Sequence, residues 1–361
     1  MVRSLNLLFL FSTLLVLFCN AQLSIDISSG SKKTKNYNVL AALNYEGAKA
    51  GEGAGEYGMV TDLNGKSCNK EPYQYNSTIG PWTEEKVLVL RGPLNLIKFR
   101  AFNGPSKSGG DWSLVSSYDS QEGKANNLVF LANRCPSYDG TQKSPMCYVK
   151  SDGLTGSKNP ETFKGVLQDC VPGDNQCTCT DELQPFGSEI YLQTSKKCGT
   201  SKSGNNECMG CQSEFAHHGW GGQKTLFHIK AQFTPGKCTD RPAIWFLNSQ
   251  VVRCQQYGCN CRMMGSDGGC GELDIAEVIE NEHDYLYSEN YCTDNTKKAC
   301  TNGFPKYAKR SSKIIDYVVI FDASKKLIKV LLLQDGSPFD TSGDTLSDEY
   351  VSQLAQLRSS K

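Results

Sequence analysis

Gly269-Cys270-Gly271-Glu272-Leu273-Asp274-Ile275-Ala276-Glu277-Val278-Ile279-Glu280 is the stretch from which the rest of the chain is read. As a strand it sends Glu272 and Asp274 to one face and Leu273 and Ile275 to the other, into a core. Strict alternation would then put Glu277 on the apolar face. One extra residue near Ala276, a β-bulge, returns Glu277 to the side of Glu272 and Asp274 and keeps Val278 inside. A helix fits less well, because residues five apart lie roughly 140° apart around its axis. The β-branched Ile275, Val278 and Ile279 also favour a strand.

Carboxyl groups held this close cannot all ionise cheaply, so one keeps a proton near neutral pH while its partner stays anionic. Glycoside cleavage with retention needs that pair: one carboxylate attacks the anomeric carbon and the other protonates the leaving oxygen. The plain alternative is an acidic strand facing solvent, since E-x-D-x-x-E is short enough to arise by chance.

Around this strand the chain reads as all-β. SEIYLQTS, KTLFHIKAQFT, RPAIWFLNSQVV, KIIDYVVIFDA and KKLIKVLLLQD are strand-like runs separated by turns or cysteine-rich connectors. They predict a β-sandwich or jelly roll over residues 113–361, with helix only in the tail, 347–357. Ahead of it, residues 22–112 read as a smaller, glycine-rich β domain. KVLVLRGPLNLIKFRAF there gives two strands around Arg91-Gly92-Pro93. The run EGAKAGEGAGEYG, 46–58, is predicted to be a mobile loop or tight turn. Asn76-Ser77-Thr78 is a glycosylation sequon, and 136–184 is loop-like.

Arg3 followed by the apolar run from Leu5 to Phe18 and by Cys19-Asn20-Ala21 predicts a secretory signal over 1–21. The run is shorter than the ~20 residues that span a bilayer, so no stable membrane insertion is expected. Of 17 cysteines, 16 follow that segment, an even number suited to disulfides in an oxidising compartment. The spacings of Cys208/Cys211, Cys177/Cys179 and Cys259/Cys261 also occur in zinc sites, but pairing is the default there and no metal or cofactor is expected. Charge is balanced at 38 basic against 38 acidic residues. That leaves no basic footprint for nucleic acid, and a neutral polysaccharide fits better than a polyanion. A secreted, monomeric protein of the extracellular space or cell wall is expected.

In such a sandwich TLFHIKAQF and AIWFLN would lie beside the acidic strand under a cleft. Trp245 offers a flat indole for sugar C–H groups, or else fills the core between Ile244 and Leu247. Trp220, in HHGWGG, is a second candidate ligand or a turn residue, and His218 could donate to sugar hydroxyls or cap a loop.

E-L-D-I-A-E at 272–277, preceded by P-A-I-W-F-L at 242–247, resembles the bulged catalytic signature of laminarinase-like family-sixteen glycoside hydrolases. RPAIWFLNSQVVRCQQYGCNC followed by GCGELDIAEV is similar to a fungal cell-wall family of proposed glycosyl hydrolases with a glycine-rich N-terminal domain. PWTEEKVLVLRGPLNLIKF resembles part of that domain. The resemblance implies that Glu272 is the nucleophile, Glu277 the general acid/base and Asp274 the residue that tunes the nucleophile between them. Trp245 would line the donor side. Where relatives often carry a histidine on the next strand, Tyr287 stands in HDYLYSEN. The expectation is a retaining endo-β-1,3-glucanase acting on wall β-glucan. A glucan transglycosylase, a non-catalytic glucan-binding wall protein and a disulfide-rich interaction protein are the alternatives.

Overall fold

The computed structural model describes residues 37–62, 68–107, 109–132, 147–153, 156–168, 189–199, 208–210, 215–235, 241–254, 256, 258–262, 269–279, 282–291 and 306–359. The predicted signal at 1–21 and most of the loop-like stretch from 136 to 184 lie outside them. In chain order the strands are β1 (Val39–Glu46), β2 (Gly53–Asp62), β3 (Asn69–Ser77), β4 (Lys86–Arg91), β5 (Leu94–Asn103), β6 (Asp111–Asp119), β7 (Lys124–Asn126), β8 (Val129–Ala132), β9 (Cys147–Val149) and β10 (Gly156–Ser157). They continue with β11 (Val166–Leu167), β12 (Glu189–Gln193), β13 (Lys224–Phe233), β14 (Ala243–Asn248), β15 (Glu272–Glu277), β16 (Tyr285–Tyr291), β17 (Lys306–Lys309), β18 (Ile314–Asp322), β19 (Leu327–Gln334) and β20 (Thr345–Ser347). Among the described residues there are two α-helices, α1 (Ser249–Arg253) and α2 (Asp348–Gln356), and short 3-10 turns at Gly47–Ala50, Gly80–Thr83 and Ala323–Lys325.

The protein is all-β, as the alternating runs predict. One sheet has the order β1-β19-β18-β13-β5-β6-β20, with β11 on β5 and β7 on β6. The other has the order β10-β9-β8-β12-β4-β14-β15-β16-β17, and β2–β3 form a separate hairpin. Every strand pairing is antiparallel, and the two large sheets pack face to face. Phe227 of β13 meets Phe246 of β14 at 4.5 Å between ring centres, and Phe321 of β18 meets Phe246 at 5.5 Å. Tilted and edge-on aromatic contacts of this kind add to the apolar burial that holds such sheets together.

Four expectations change. The expected boundary at 112 does not separate two sheets: β4 lies between β12 and β14, and β5 between β13 and β6. KVLVLR is buried along its whole length, as a central strand between two neighbours that come from later in the chain. TLFHIKAQF is not beside the acidic strand; β13 belongs to the opposite sheet and faces it across the core. The run 46–58 forms a 3-10 turn, Gly47–Ala50, followed by β2, because ladder bonds to β3 satisfy its small-residue backbone. SQVV leaves β14 as helix α1, capped where the Asn248 side chain accepts from the Gln250 N–H.

Candidate active site

Strand β15 is preceded by Gly271, whose φ of +103° is a conformation that favours glycine. A Cβ there would sit 3.2 Å from Pro81 and Trp82. From Glu272 onward the ladder to β14 runs Leu247↔Glu272, Phe246↔Leu273 and Trp245↔Asp274, then shifts so that Ile244 faces Ala276 and Ala243 faces Glu277. The ladder to β16 shifts over the same residues. The bulge therefore lies at Ile275–Ala276, both fully buried, and Glu277 returns to the face of Glu272 and Asp274.

The registers lay out this face as rows across five strands. One row is Tyr191, Val89, Trp245, Asp274 and Glu289, on β12, β4, β14, β15 and β16. The next is Glu189, Arg91, Ala243, Glu277 and Tyr287. On the other side Val87, Leu247, Glu272 and Tyr291 form a third. Each outer carboxylate of the trio has an arginine. Arg262 donates from Nη1 to Glu272 Oε2 at 3.0 Å, and Arg91 donates from Nη2 to Glu277 Oε1 at 2.8 Å. Arg91 also donates Nε to the Arg241 carbonyl at 2.7 Å.

These pairings divide the charge. Burial raises the pKa of Asp274 well above the usual aspartate range, and the adjacent Glu277 and Glu272 raise it further. Burial also raises Glu272, against the pull of Arg262. Burial and the two neighbouring carboxylates thus favour the protonated form of Asp274, while Glu272 and Glu277 each accept from an arginine.

Of the remaining sequence candidates, Trp245 stands beside Asp274 on this face, but it is only 3% exposed. The Arg91 guanidinium lies 5.3 Å from its ring centre, and its Nε1 lacks a hydrogen-bond partner. Trp220 lies in the core between the sheets: it packs on Phe99 and Phe227 and donates Nε1 to Ser116 Oγ at 2.9 Å. Gly219 of HHGWGG is needed for close backbone approach, since a Cβ there would clash with the Lys86 backbone. His218 is 2.5 Å from Glu85 through Nδ1, at one end of the sheet, and Arg253 pairs with the same carboxylate. Neither Trp220 nor His218 joins the trio.

Arg91, Arg262, Glu189 and Glu289 escaped the sequence reading. For Glu289 a signal existed: Tyr287, Glu289 and Tyr291 share one face by simple alternation. The arginines carried none, because Arg91 comes from far upstream and Arg262 from a cysteine-rich connector. Among the described residues, one grouping has metal-ligand proximity, Cys198, Cys208 and His218. Its two sulfurs are bonded to each other, so they offer no thiolates.

A family model described as "Cell wall protein YJL171C/Tos1, C-terminal" matches residues 110–354, and its N-terminal companion matches 42–104. A Candida albicans protein named "Probable circularly permuted 1,3-beta-glucanase PGA52" is 29% identical over 261 residues, 65% of this chain and 62% of that protein. The match therefore takes in less than two thirds of that relative. A Saccharomyces cerevisiae protein, "Probable circularly permuted 1,3-beta-glucanase YJL171C", is 27% identical over 334 residues, 81% of this chain and 78% of that protein. No solved structure matches significantly. The two matched pieces meet between 104 and 110, yet in space their strands share both sheets. With well over half of its length inside the C-terminal model, the chain belongs to the YJL171C/Tos1 family of cell wall proteins.

Proposed function

We propose that the protein is a β-glucan-active glycoside hydrolase that cleaves β-1,3 linkages with retention, in a cell wall or the extracellular space. The observation that carries this reading is the bulge at Ile275–Ala276, which puts Glu272, Asp274 and Glu277 on one face. The names of the relatives support the substrate class.

Glu272, beside Arg262, attacks the anomeric carbon. Glu277 protonates the leaving oxygen and later takes a proton from the incoming water. Asp274 stays protonated between them and donates a hydrogen bond to the carboxylate that bears charge. This division needs carboxyls roughly 5–5.5 Å apart, too close for an attacking water to fit between them. If a sugar hydroxyl replaces water in the second step, the same site performs transglycosylation.

A binding-only reading draws on one observation: Arg91 already occupies Glu277, and an ion-paired carboxylate has no proton to donate. Activity therefore requires that pair to open and Glu277 to take up a proton from solvent as glucan enters, before it can protonate the leaving oxygen.

Proton NMR of the first product from a β-1,3-glucan tests the reading. A β-anomer is expected. Glu272→Gln and Glu277→Gln should each lower turnover by several orders of magnitude, and Asp274→Asn should lower it less. An α-anomer, or full activity in Glu272→Gln, excludes the mechanism.

A further inference from the structure

Asn76-Ser77-Thr78 is the single Asn-X-Ser/Thr sequence in the chain, and nothing in the carboxylate site uses it. It spans the end of β3 in the β2–β3 hairpin. Side chains alternate along that strand. Tyr73 and Tyr75 turn inward, with ring centres 5.2 and 6.2 Å from that of Tyr57, and Tyr75 is buried. Gln74 and Asn76 point the other way and are exposed. Gln74 is held on that outer face by Glu56. Opposite Asn76 stands Ala54, also exposed, which sets only a methyl group beside the Asn76 amide. Among the described residues no side-chain hydrogen bond ties that amide down.

We infer that Asn76 carries an N-linked glycan, attached before the hairpin closes. In the transfer the Asn76 amide nitrogen bonds to the anomeric carbon of an oligosaccharide carried on a lipid pyrophosphate. The bond from that carbon to the phosphate oxygen breaks, the pyrophosphate leaves with the electron pair, and the nitrogen gives up one proton. In the folded protein the sugar stands in solvent on the outer face, and the packing of Tyr57, Tyr73 and Tyr75 on the inner face is untouched.

The order of events follows from what the fold does with the other parts of the motif. A transferase reads the threonine hydroxyl together with the asparagine, along an extended backbone. Here Asn76 and Ser77 pair with Ala54 and Gly53 of β2. The Thr78 hydroxyl donates to the Ala323 carbonyl at 2.5 Å, across 245 residues of sequence. Both contacts exist only in the native state, so the unfolded chain is the acceptor. Attachment requires export, which membership of a cell-wall family and the disulfides favour, and it is independent of what the carboxylates do.

The test expresses the full chain in a fungal host and recovers it from cells and medium. Intact mass should show one step that an N-glycan-releasing amidase removes, leaving an aspartate at position 76 in peptide mapping. Asn76→Gln and Thr78→Ala should each abolish the step, and Thr78→Ser should keep it. Asn76→Gln alters an exposed side chain, so it should melt with the enzymatically deglycosylated parent. An unshifted chain, whether secreted or retained, or a step that survives Asn76→Gln, overturns the assignment and leaves the glucan reading standing. Loss of glucan cleavage with the step intact does the reverse.

The order is tested on full chain purified from a host whose transferase is inhibited. Offered solubilised transferase and the lipid-linked donor, it should accept the glycan when reduced and unfolded and not when folded. Equal transfer to the folded chain overturns attachment before closure.

Discussion

Arg91 donates to Glu277 across 2.8 Å while its guanidinium rests 5.3 Å from the centre of the Trp245 ring. One side chain from β4 thus holds a carboxylate of β15 and covers an indole of β14. Its position cannot be read from local sequence, because more than 180 residues separate the ion-pair partners. Arg91→Met, Glu277→Gln and the double variant should show a coupling of about 0.5–3 kcal/mol in urea unfolding at neutral pH. Additive effects would deny the pair any part in stability.

Asp274 carries a pH signature. Its unfolded pKa is near the ordinary ~3.9, and its folded pKa is raised well above that by burial and by Glu277 and Glu272. Between those two values the folded state binds more protons than the unfolded state, so stability falls as pH rises. The contribution is fully present below the unfolded pKa and is lost as pH passes through the folded one. Asp274→Asn, which keeps the protonated shape, should remove this dependence and gain on the parent chain as pH rises from 4 to 7. Parallel stability curves for the two proteins would contradict the assignment of the proton.

Removing residues 22–112 should abolish folding. The deletion takes β4 from between β12 and β14, β5 from between β13 and β6, and β1 from beside β19. Residues 113–361 alone should give no cooperative thermal transition and little strand signal in far-UV circular dichroism. A folded, glucan-binding remainder would mean that the two sheets can close without them.

The Cys68–Cys259 bond joins the β2–β3 hairpin to the segment beyond α1 across a sequence separation of 191. Replacing both cysteines by serine should destabilise the protein by about 2–5 kcal/mol. Non-reducing peptide mapping should recover this pair together with Cys198–Cys208 and Cys261–Cys270. Different partners for Cys259 would contradict the placement of that segment.

Much of the fold was legible where periodicity is local. KTLFHIKAQF, AIWFLN, IIDYVVIFD and LIKVLLLQ are strands as read, and the helix at the C-terminal tail is Asp348–Gln356. The bulge was also legible, since Glu277 could reach the acidic face only through one. Which strands are neighbours was not: the six residues of KVLVLR do not say that their partners come from much later in the chain. The same holds within the site. The acidic face is written in one stretch, whereas the arginines that partition its charge come from β4 and from a connector.

The pairing of β1 with β19 has a consequence for how the molecule is made. Val39 stands opposite Leu333, and β1 lies at the edge of its sheet with β19 as its one neighbour there. At a synthesis rate of about 5–20 residues per second, the first strand emerges roughly 15–60 s before the strand that covers it. Through that interval its backbone donors and acceptors stand open to any other extended chain nearby. Assembly of this sheet is therefore a late event in biosynthesis, and the nascent protein depends on being shielded until the end of translation.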